Sequence, residues 1–476
     1  MSLTVAQVTA FEEYVANLMK EHKMPGLAVG IACGDEVVYK KGFGVKDLVT
    51  KAPVTTKTIF GVASVTKSFT GTAIMKLCEE GKMSVHDPVK RFLPEFDISG
   101  GSGDLVTSHH CLTHTTGLPP LPSLGWGIRD NTKRDVQVQG AKEKTSDPRF
   151  DKPHPPVTTY SQLMDYLRTG DFTVLGEPGE YCSYSNEAYG VLGAVIEKVS
   201  GEMYARYMEQ NILVPLGMKR STFNLEEILK DDDVTTLYYR EEAEDEEILS
   251  SNNWQVAPAY MACGWLKSCV DDLLNYVRWH ASGGKFGGLR VLSEESLDAM
   301  AYPHTDYNRD KQYGYGLGVQ DGYHGVTIVD HSGGLKGVSS QIGWIKSKGI
   351  SAVVLCNLSG APSNNVLTAA FNMMLGLPLD TPRSVYRRED WTKEQLEELT
   401  GTFESGEGGQ ITLVNEDGKL MARYGKEAKV AYEVRRDSEN IGVVTVRGQD
   451  NQVIFLKNAD GKLWAIGSGG RIIRKS

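Results

Sequence analysis

The segment SVTKSFTGTAIMKLCEEG, residues 64–81, predicts a helix that carries a serine and a lysine on one face. Gly81 supplies a helix stop, and a three-residue offset places Ser64 and Lys67 about one turn apart. A serine at a helix N-terminus keeps its backbone N–H free to stabilise an oxyanion, and a lysine becomes a base when burial or positive charge lowers its pKa. The segment therefore predicts either a nucleophile–base pair or a capping serine beside a solvated lysine.

Tyr184-Ser185-Asn186 is the only Tyr-x-Asn sequence in the chain and precedes a predicted helix over Asn186–Ser200. A tyrosine hydroxyl beside a lysine ammonium loses its proton more easily, so Tyr184 can accept the serine proton or return one to a leaving group. The Asn186 amide can hold a substrate carbonyl or orient the lysine. A buried tyrosine followed by an asparagine helix cap is the structural alternative, and the two roles are compatible.

His331-Ser332-Gly333-Gly334 is the only His-x-Gly sequence and lies between two apolar, strand-like runs. A backbone N–H at Gly334, next to the nucleophile, would complete an oxyanion hole with the N–H of Ser64. We expect all four residues, together with Asn186, to contact substrate. The alternative is a strand end with a glycine turn and a surface histidine.

In this order the three motifs resemble the serine β-lactamase and penicillin-binding-protein superfamily, in the branch of class C β-lactamases, D-aminopeptidases and family VIII esterases. Leu112–Pro119, Ala262–Leu266 and Tyr315–Gly318 extend the resemblance, which covers about residues 5–375. It implies an α+β fold, an antiparallel sheet flanked by helices plus an all-helical region. It also implies an acyl-Ser64 intermediate with Lys67 and Tyr184 as catalytic partners, and a structural role for His114 near the site wall.

One departure from the family pattern bears on the substrate. The chain contains no Lys-Thr-Gly or Lys-Ser-Gly triplet, and His331 replaces the lysine that helps to bind the carboxylate of a β-lactam. The resemblance therefore implies a serine hydrolase of carboxylesterase type. A D-aminopeptidase, a D-peptidase or a weak β-lactamase on the same machinery stays open, as does a non-catalytic scaffold of this fold.

The strand and helix pattern predicts how the two ends of the first domain meet. A hairpin is expected at Leu27–Cys33 and Glu36–Tyr39, strands at Val338–Ile345 and Ile350–Leu358, and a helix at Asn364–Leu375. Strands flanked by helices near both ends suggest that the terminal segments share one sheet. Residues 118–158 are rich in proline and predict an irregular loop, and the acidic residues 231–247 predict a solvated one.

From about Asp390, short alternating strands bounded by Asp-Gly type turns predict a small antiparallel barrel or sandwich. Its Leu399–Phe403 start resembles the lipocalin-like barrel that follows the catalytic domain in some D-peptidases. We expect a catalytic domain over 1–382 and a β-barrel over 383–476 that holds none of the chemistry. Such a barrel could restrict the cleft or mediate self-association.

The charge and cysteine content of the chain limit the classes of molecule that it can be expected to bind. The net charge of −10 argues against a nucleic-acid or anionic-membrane surface, and no apolar run is long enough to span a membrane. Seven irregularly spaced cysteines indicate reduced thiols and a cytoplasmic location. No metal is expected, because no cysteine or carboxylate lies at zinc-ligand spacing from the clustered histidines. The expected partner is a small-molecule ester, amide or peptide, without a cofactor, and a homo-oligomer stays open.

Overall fold

The computed structural model describes residues 3–128, 155–240, 247–251, 253–285, 290–426, 428, 430–446 and 448–476. Most of the predicted proline-rich loop and part of the acidic one lie outside these residues. The helices are α1 Val5–Glu21, α2 Thr66–Glu79, α3 Ser108–Leu112, α4 Ser123–Gly127, α5 Tyr160–Thr169, α6 Asn186–Ser200, α7 Tyr204–Met208, α8 Leu225–Ile228, α9 Met261–Gly264, α10 Val270–Ala281, α11 Glu294–Met300, α12 Ser363–Leu375 and α13 Lys393–Leu399.

Within the described residues, twelve strands precede the barrel. They are β1 Gly26–Cys33, β2 Glu36–Gly44, β3 Phe60–Gly61, β4 Leu237–Tyr239, β5 Leu249–Ser251, β6 Lys267–Ser268, β7 Thr305–Asp306, β8 Gln312–Tyr313, β9 Gly318–Tyr323, β10 Val326–Leu335, β11 Val338–Ile345 and β12 Ile350–Cys356. Eight of them form one antiparallel sheet in the order β2-β1-β12-β11-β10-β9-β8-β7. Leu27 of β1 lies opposite Cys356 of β12, so the prediction that the terminal segments share a sheet is confirmed.

Both faces of this sheet are covered, because successive side chains of a strand point to opposite faces. Leu27, Val29 and Ile31 pack with α1 and α12 on one face. Ala28 and Ala32 belong to the core on the other face. There a Cβ at Gly30 would meet Val270 and Leu274 of α10 within 3 Å. That second core continues into the all-helical region around α2, α5, α6 and α9, which confirms the expected α+β fold.

The helix predicted to start near Ser64 begins later in the structure. Ala63–Val65 form a 3₁₀ turn, and the α-helix starts at Thr66. Two hydrogen bonds hold the turn ahead of the helix. The side chain of Thr66 donates to the carbonyl of Ala63 at 2.7 Å, and the N–H of Val62 donates to the carbonyl of Leu266 at 3.1 Å. Helix α6 has the expected bounds and ends at Gly201, whose φ of 75° only glycine adopts easily.

The C-terminal strands close into an eight-stranded antiparallel barrel, which confirms the predicted barrel. The strands are β13 Gly401–Glu404, β14 Gln410–Glu416, β15 Lys419–Tyr424, β16 Tyr432–Ser438, β17 Ile441–Val446, β18 Gln449–Lys457, β19 Leu463–Ser468 and β20 Arg471–Lys475. Strand β13 pairs with both β14 and β20, so no edge strand is left. The barrel has a core of its own, which includes Trp391, Phe403 and Phe455.

A buried ion triad ties the segment before the barrel to the main sheet. Asp330 of β10 is fully buried and accepts from Lys311 Nζ at 2.7 Å and from Arg383. Burial alone would raise the pKa of Asp330, but Arg383 and Lys311 together hold it below its usual range. Arg383 also donates from Nε to Gln320 at 2.8 Å. The triad therefore fixes the predicted domain boundary near residue 382 onto the sheet strand that carries His331.

We expect Asp330→Asn to lower the free energy of unfolding by about 3–5 kcal/mol, because it leaves two cations without their anion. The wild-type carboxylate stabilises the fold above its unfolded pKa of about 4 and loses that effect as the pH falls through its lowered native pKa. Urea unfolding of both proteins at pH 7 measures the difference. Asp298→Asn, which removes an exposed partner of Lys346, serves as the control and should change stability by about 1 kcal/mol or less. Equal effects of the two substitutions would contradict a structural role for the triad.

Candidate active site

Ser64 lies in the 3₁₀ turn between β3 and α2, at a strained point of the backbone. Ala63, directly before it, has a φ of 45°, in the left-handed region that residues other than glycine rarely adopt. Such strain persists only where the surroundings hold it, and it clusters at functional sites. The surroundings here are the hydrogen bonds of Thr66 and Val62 described above. The turn presents Ser64 at the N-terminus of α2, the position expected for a nucleophile.

Lys67 is completely buried, and its side-chain nitrogen contacts three oxygens. Nζ donates to Asn186 Oδ1 at 2.9 Å and to the carbonyl of Cys263 at 2.8 Å, and it lies 3.2 Å from Ser64 Oγ. Burial lowers the pKa of Lys67 to about 8 from an ordinary value of 10.5, and the positive charge of Arg471 adds to this effect. A substantial fraction of the amine is therefore neutral near pH 8 and can accept the proton of Ser64.

Tyr184 lies on the other side of the lysine. Lys67 Nζ is 4.6 Å from the centre of the Tyr184 ring. Burial raises the pKa of the Tyr184 hydroxyl, although the Ser64 hydroxyl and the charge of Arg471 oppose this. The two groups are therefore not equivalent: near pH 8 part of the Lys67 amine is neutral, whereas the Tyr184 hydroxyl keeps its proton.

Asn186 begins α6, where the side chain of Ser185 caps the helix by accepting from the N–H of Ala188 at 3.1 Å. The cap fixes the orientation of the helix N-terminus, and with it that of the Asn186 amide. Its oxygen is used by Lys67, whereas its nitrogen has no hydrogen-bond partner among the described residues. The amide oxygen therefore orients the lysine, and contact of Asn186 with substrate stays a prediction.

His331 is enclosed by the protein and has both ring nitrogens engaged. Nδ1 lies 2.6 Å from the carbonyl of Ser332 and Nε2 lies 2.8 Å from the Tyr313 hydroxyl. Because a carbonyl only accepts, Nδ1 carries the proton and Nε2 accepts from Tyr313. Burial, with the nearby Lys67, lowers the pKa of His331 to about 3, so the ring is neutral at physiological pH. Its contact with substrate stays a prediction.

The two glycines of the same motif have different surroundings. A Cβ at Gly333 would lie 2.2 Å from the carbonyl of Val62 and 3.1 Å from the side chain of Ala63, so only glycine lets β10 approach the 3₁₀ turn of Ser64 this closely. A Cβ at Gly334 would meet nothing within 4 Å. Ser332 and Gly334 are exposed, on the open side of the strand. Their contacts with substrate and the oxyanion-hole role of the Gly334 N–H stay predictions.

Two further residues at the site had no assigned catalytic role in the sequence analysis. The His114 ring lies 4.1 Å from the Tyr184 ring, centre to centre, and Nδ1 accepts from the N–H of Ser185 at 3.0 Å. This agrees with the structural role that the resemblance implied. The guanidinium carbon of Arg471, in β20, lies over the Tyr184 ring, 4.9 Å from its centre. The barrel, expected to hold none of the chemistry, therefore places a cation beside the candidate site.

The described residues hold no group of three or more histidine, cysteine or acidic side chains placed to bind a metal ion. All seven cysteines are free thiols. Across the helices that the structure describes, none combines the length and the apolar character needed to cross a membrane.

Residues 11–372 match the model of a protein family described as Beta-lactamase. The chain is 25% identical over 424 residues to penicillin-binding protein 4* of Bacillus subtilis (strain 168), which covers 84% of each protein. It is 27% identical over 346 residues to protein flp of Staphylococcus aureus (strain MW2), which covers 72% of this chain and 61% of that protein.

Solved structures show the same architecture. The octameric penicillin-binding protein homologue from Pyrococcus abyssi is 28% identical and has a TM-score of 0.69, over 98% of this chain and all of that one. A D-stereospecific amidohydrolase from Streptomyces sp. is 23% identical, with a TM-score of 0.59, over 77% of this chain and 98% of that one. The second likeness shows the fold alone.

We expect Gly333→Ala to reduce the rate at which a fluorophosphonate labels the protein by at least about tenfold. The added methyl group overpacks the contact, at a cost of about 1–3 kcal/mol, and moves β10 away from the 3₁₀ turn of Ser64. Gly334→Ala is the control, since its new methyl group meets no described atom. Labelling kinetics and thermal unfolding of both variants measure the effect. Equal labelling rates for Gly333→Ala and wild type would show that the close approach of β10 does not position Ser64.

Proposed function

Since the chain belongs to the Beta-lactamase family, we propose that it is a serine hydrolase that cleaves an ester or amide bond through an acyl-Ser64 intermediate. The observation that carries the proposal is the 3.2 Å contact between Ser64 Oγ and the buried amine of Lys67, whose pKa is lowered to about 8. A capping serine with a solvated lysine, the alternative reading of the segment, does not account for a lysine without exposed surface. A non-catalytic scaffold would have no need of so costly a group.

The proposed reaction begins when Ser64 Oγ attacks the substrate carbonyl and its proton passes to neutral Lys67. The N–H groups of Ser64 and Gly334 would hold the oxyanion. Tyr184 then gives its proton to the leaving alkoxide or amine as that bond breaks, and Lys67 returns the proton to Tyr184. Water attacks the acyl ester in the second half, giving one proton to the base while Ser64 Oγ recovers one.

We propose short-chain carboxylic esters as the preferred substrates. Neutral His331 offers no cation to a substrate carboxylate, which removes a charged hydrogen bond worth about 1.5–3 kcal/mol and costs about ten- to hundredfold in rate. A D-peptidase is the second candidate, and the observation that favours it is the charged pair of Arg471 and Glu407 at the site. A weak β-lactamase would depend on the same pair.

We also propose a cytoplasmic location and a homo-oligomeric assembly for this chain. Seven free thiols support a reducing, cytoplasmic compartment. The octameric assembly of the Pyrococcus abyssi homologue supports a homo-oligomer for this chain. Size-exclusion chromatography with light scattering measures the assembly directly.

We expect the full chain to hydrolyse p-nitrophenyl butyrate with a kcat/KM at least about tenfold above that for nitrocefin. Ser64→Ala should abolish both reactions and leave thermal unfolding unchanged, because the hydroxyl is the nucleophile. Peptide mapping after inactivation by a fluorophosphonate should place the adduct on Ser64. Ser282→Ala is the control: it removes the other Ser-x-x-Lys serine, which follows the last residue of α10.

An adduct on Ser185, Ser282 or Ser332 would overturn the nucleophile assignment. Efficient penicillin or cephalosporin hydrolysis would overturn the ester preference alone and show that another cation takes the role of the missing lysine. A folded wild-type chain that is neither labelled nor active on esters, D-amino acid anilides or nitrocefin would favour the non-catalytic scaffold.

A further inference from the structure

The barrel reaches the candidate active site through the turn between β19 and β20. We call Gly469–Ile472 the barrel tip. Its Gly470 carbonyl accepts from the N–H of Tyr184 at 2.8 Å, and the N–H of Ile472 donates to the side chain of Ser183 at 3.2 Å. Two hydrogen bonds thus attach the barrel tip to the backbone that carries the tyrosine.

The fit of the barrel tip against the catalytic domain depends on Gly470. Its φ is 77°, and a Cβ there would lie 1.9 Å from the hydroxyl of Tyr307. Tyr307 is in ring contact with Tyr313, at 5.5 Å, and Tyr313 donates to His331. The barrel tip therefore packs directly against the aromatic wall of the site.

Arg471 occupies the centre of this contact. Its guanidinium lies 4.9 Å from the centre of the Tyr184 ring, and Nε donates to Glu407 at 2.5 Å. Glu407 belongs to the β13–β14 turn, in which a Cβ at Gly406 would collide with the carbonyl of Pro120. Two barrel turns thus meet the catalytic domain and hold one another. The Arg471 side chain is 26% exposed, so its charge is screened only in part.

The position of this cation matters because few other charges lie near the tyrosine. The titratable and charged groups that face Tyr184 from the surrounding elements are Lys67, His114, Tyr189, Cys263, Tyr307, Tyr313, His331, Glu407 and Arg471, and Glu187 lies near Lys67. Both histidines are neutral near pH 7, since burial lowers their pKa. Arg471 is therefore the one permanent cation in this set besides the titrating Lys67.

We propose that Arg471 is a positioning residue of the active site, which holds Tyr184 in place and favours deprotonation of the Lys67–Tyr184 pair, so that the barrel completes the catalytic centre. The inference rests on the proposed serine hydrolase function. It departs from a barrel that only restricts the cleft or mediates self-association, because the tip touches the proton-transferring residue itself. Opposite charge beside an acid stabilises its anion, and like charge beside an ammonium favours loss of its proton.

We expect Arg471→Gln in the full chain to lower kcat for p-nitrophenyl butyrate at pH 7 by about tenfold, with KM within about twofold, since the lost cation–ring contact acts on the reacting groups. The rise of kcat with pH, which follows the loss of the Lys67 proton, should move to higher pH by about half a unit or more, because the pKa values of Lys67 and Tyr184 both rise without the cation. Arg471→Lys should return this rise to its wild-type pH. Arg423→Gln, which removes an exposed barrel cation paired with Glu416, is the charge control.

A second pair of variants tests the contact independently of charge. Gly470→Ala and Gly461→Ala place the same methyl group at the same φ of 77°, but only the first meets a neighbour. We expect Gly470→Ala alone to lower kcat and to move the rise of kcat to higher pH. Thermal unfolding of both alanine variants is measured for comparison. Equal activity of the two alanine variants would overturn the contact role.

The Arg471 variants can also overturn the positioning role. An unchanged pH profile in Arg471→Gln would overturn the electrostatic role. A change confined to KM would assign Arg471 to substrate recognition and overturn the positioning role. Arg471→Lys behaving as Arg471→Gln would show that charge is not what matters. Wild-type protein without labelling or turnover would instead defeat the proposed function itself, which keeps the two failures distinct.

Discussion

The structure depends on one buried amine, that of Lys67, which lies on α2 and is held by oxygens from three other places. Desolvating a lysine is costly unless its hydrogens find acceptors. Asn186 at the start of α6 and the carbonyl of Cys263 in α9 supply two of them, and Ser64 supplies the third. These contacts require α2, α6 and α9 to pack side by side. The same burial that makes the contacts necessary lowers the pKa to about 8, which gives the amine its chemical use.

The other titratable side chains at the site, His331, Tyr184 and Arg471, differ in their charge near pH 7. His331 is kept neutral by burial and by its hydrogen bonds to Tyr313 and the Ser332 carbonyl, so it shapes the wall of the cleft without adding charge. Tyr184 keeps its proton in the pH range in which Lys67 loses one. The barrel adds a second positive charge to that of Lys67, since Arg471 lies 4.9 Å from the centre of the Tyr184 ring.

The sequence predicts those features whose signals are local. Ser64 and Lys67 are three residues apart, the Tyr184–Asn186 motif directly precedes a helix with a cap and a glycine stop, and the β10 motif lies between apolar runs. The late start of α2 was missed, because the hydrogen bonds of Val62 and Thr66 that shape the turn are tertiary. Arg471 was missed for a stronger reason: its neighbours in sequence read only as a glycine turn, and its catalytic neighbour lies far away in the chain.

If Lys67 is a neutral base at mildly alkaline pH, its amine must lose its proton in that range, and a titration of the amine measures this. Carbon NMR of protein with ¹³C-labelled lysine side chains follows each amine through its own titration, and Lys67→Arg assigns the resonance. We expect a midpoint near 8 for Lys67, with the exposed lysines titrating near 10.4. A Lys67 midpoint at or above 10 would contradict it, since the amine would then be an ammonium ion throughout the working range and could not take the proton of Ser64.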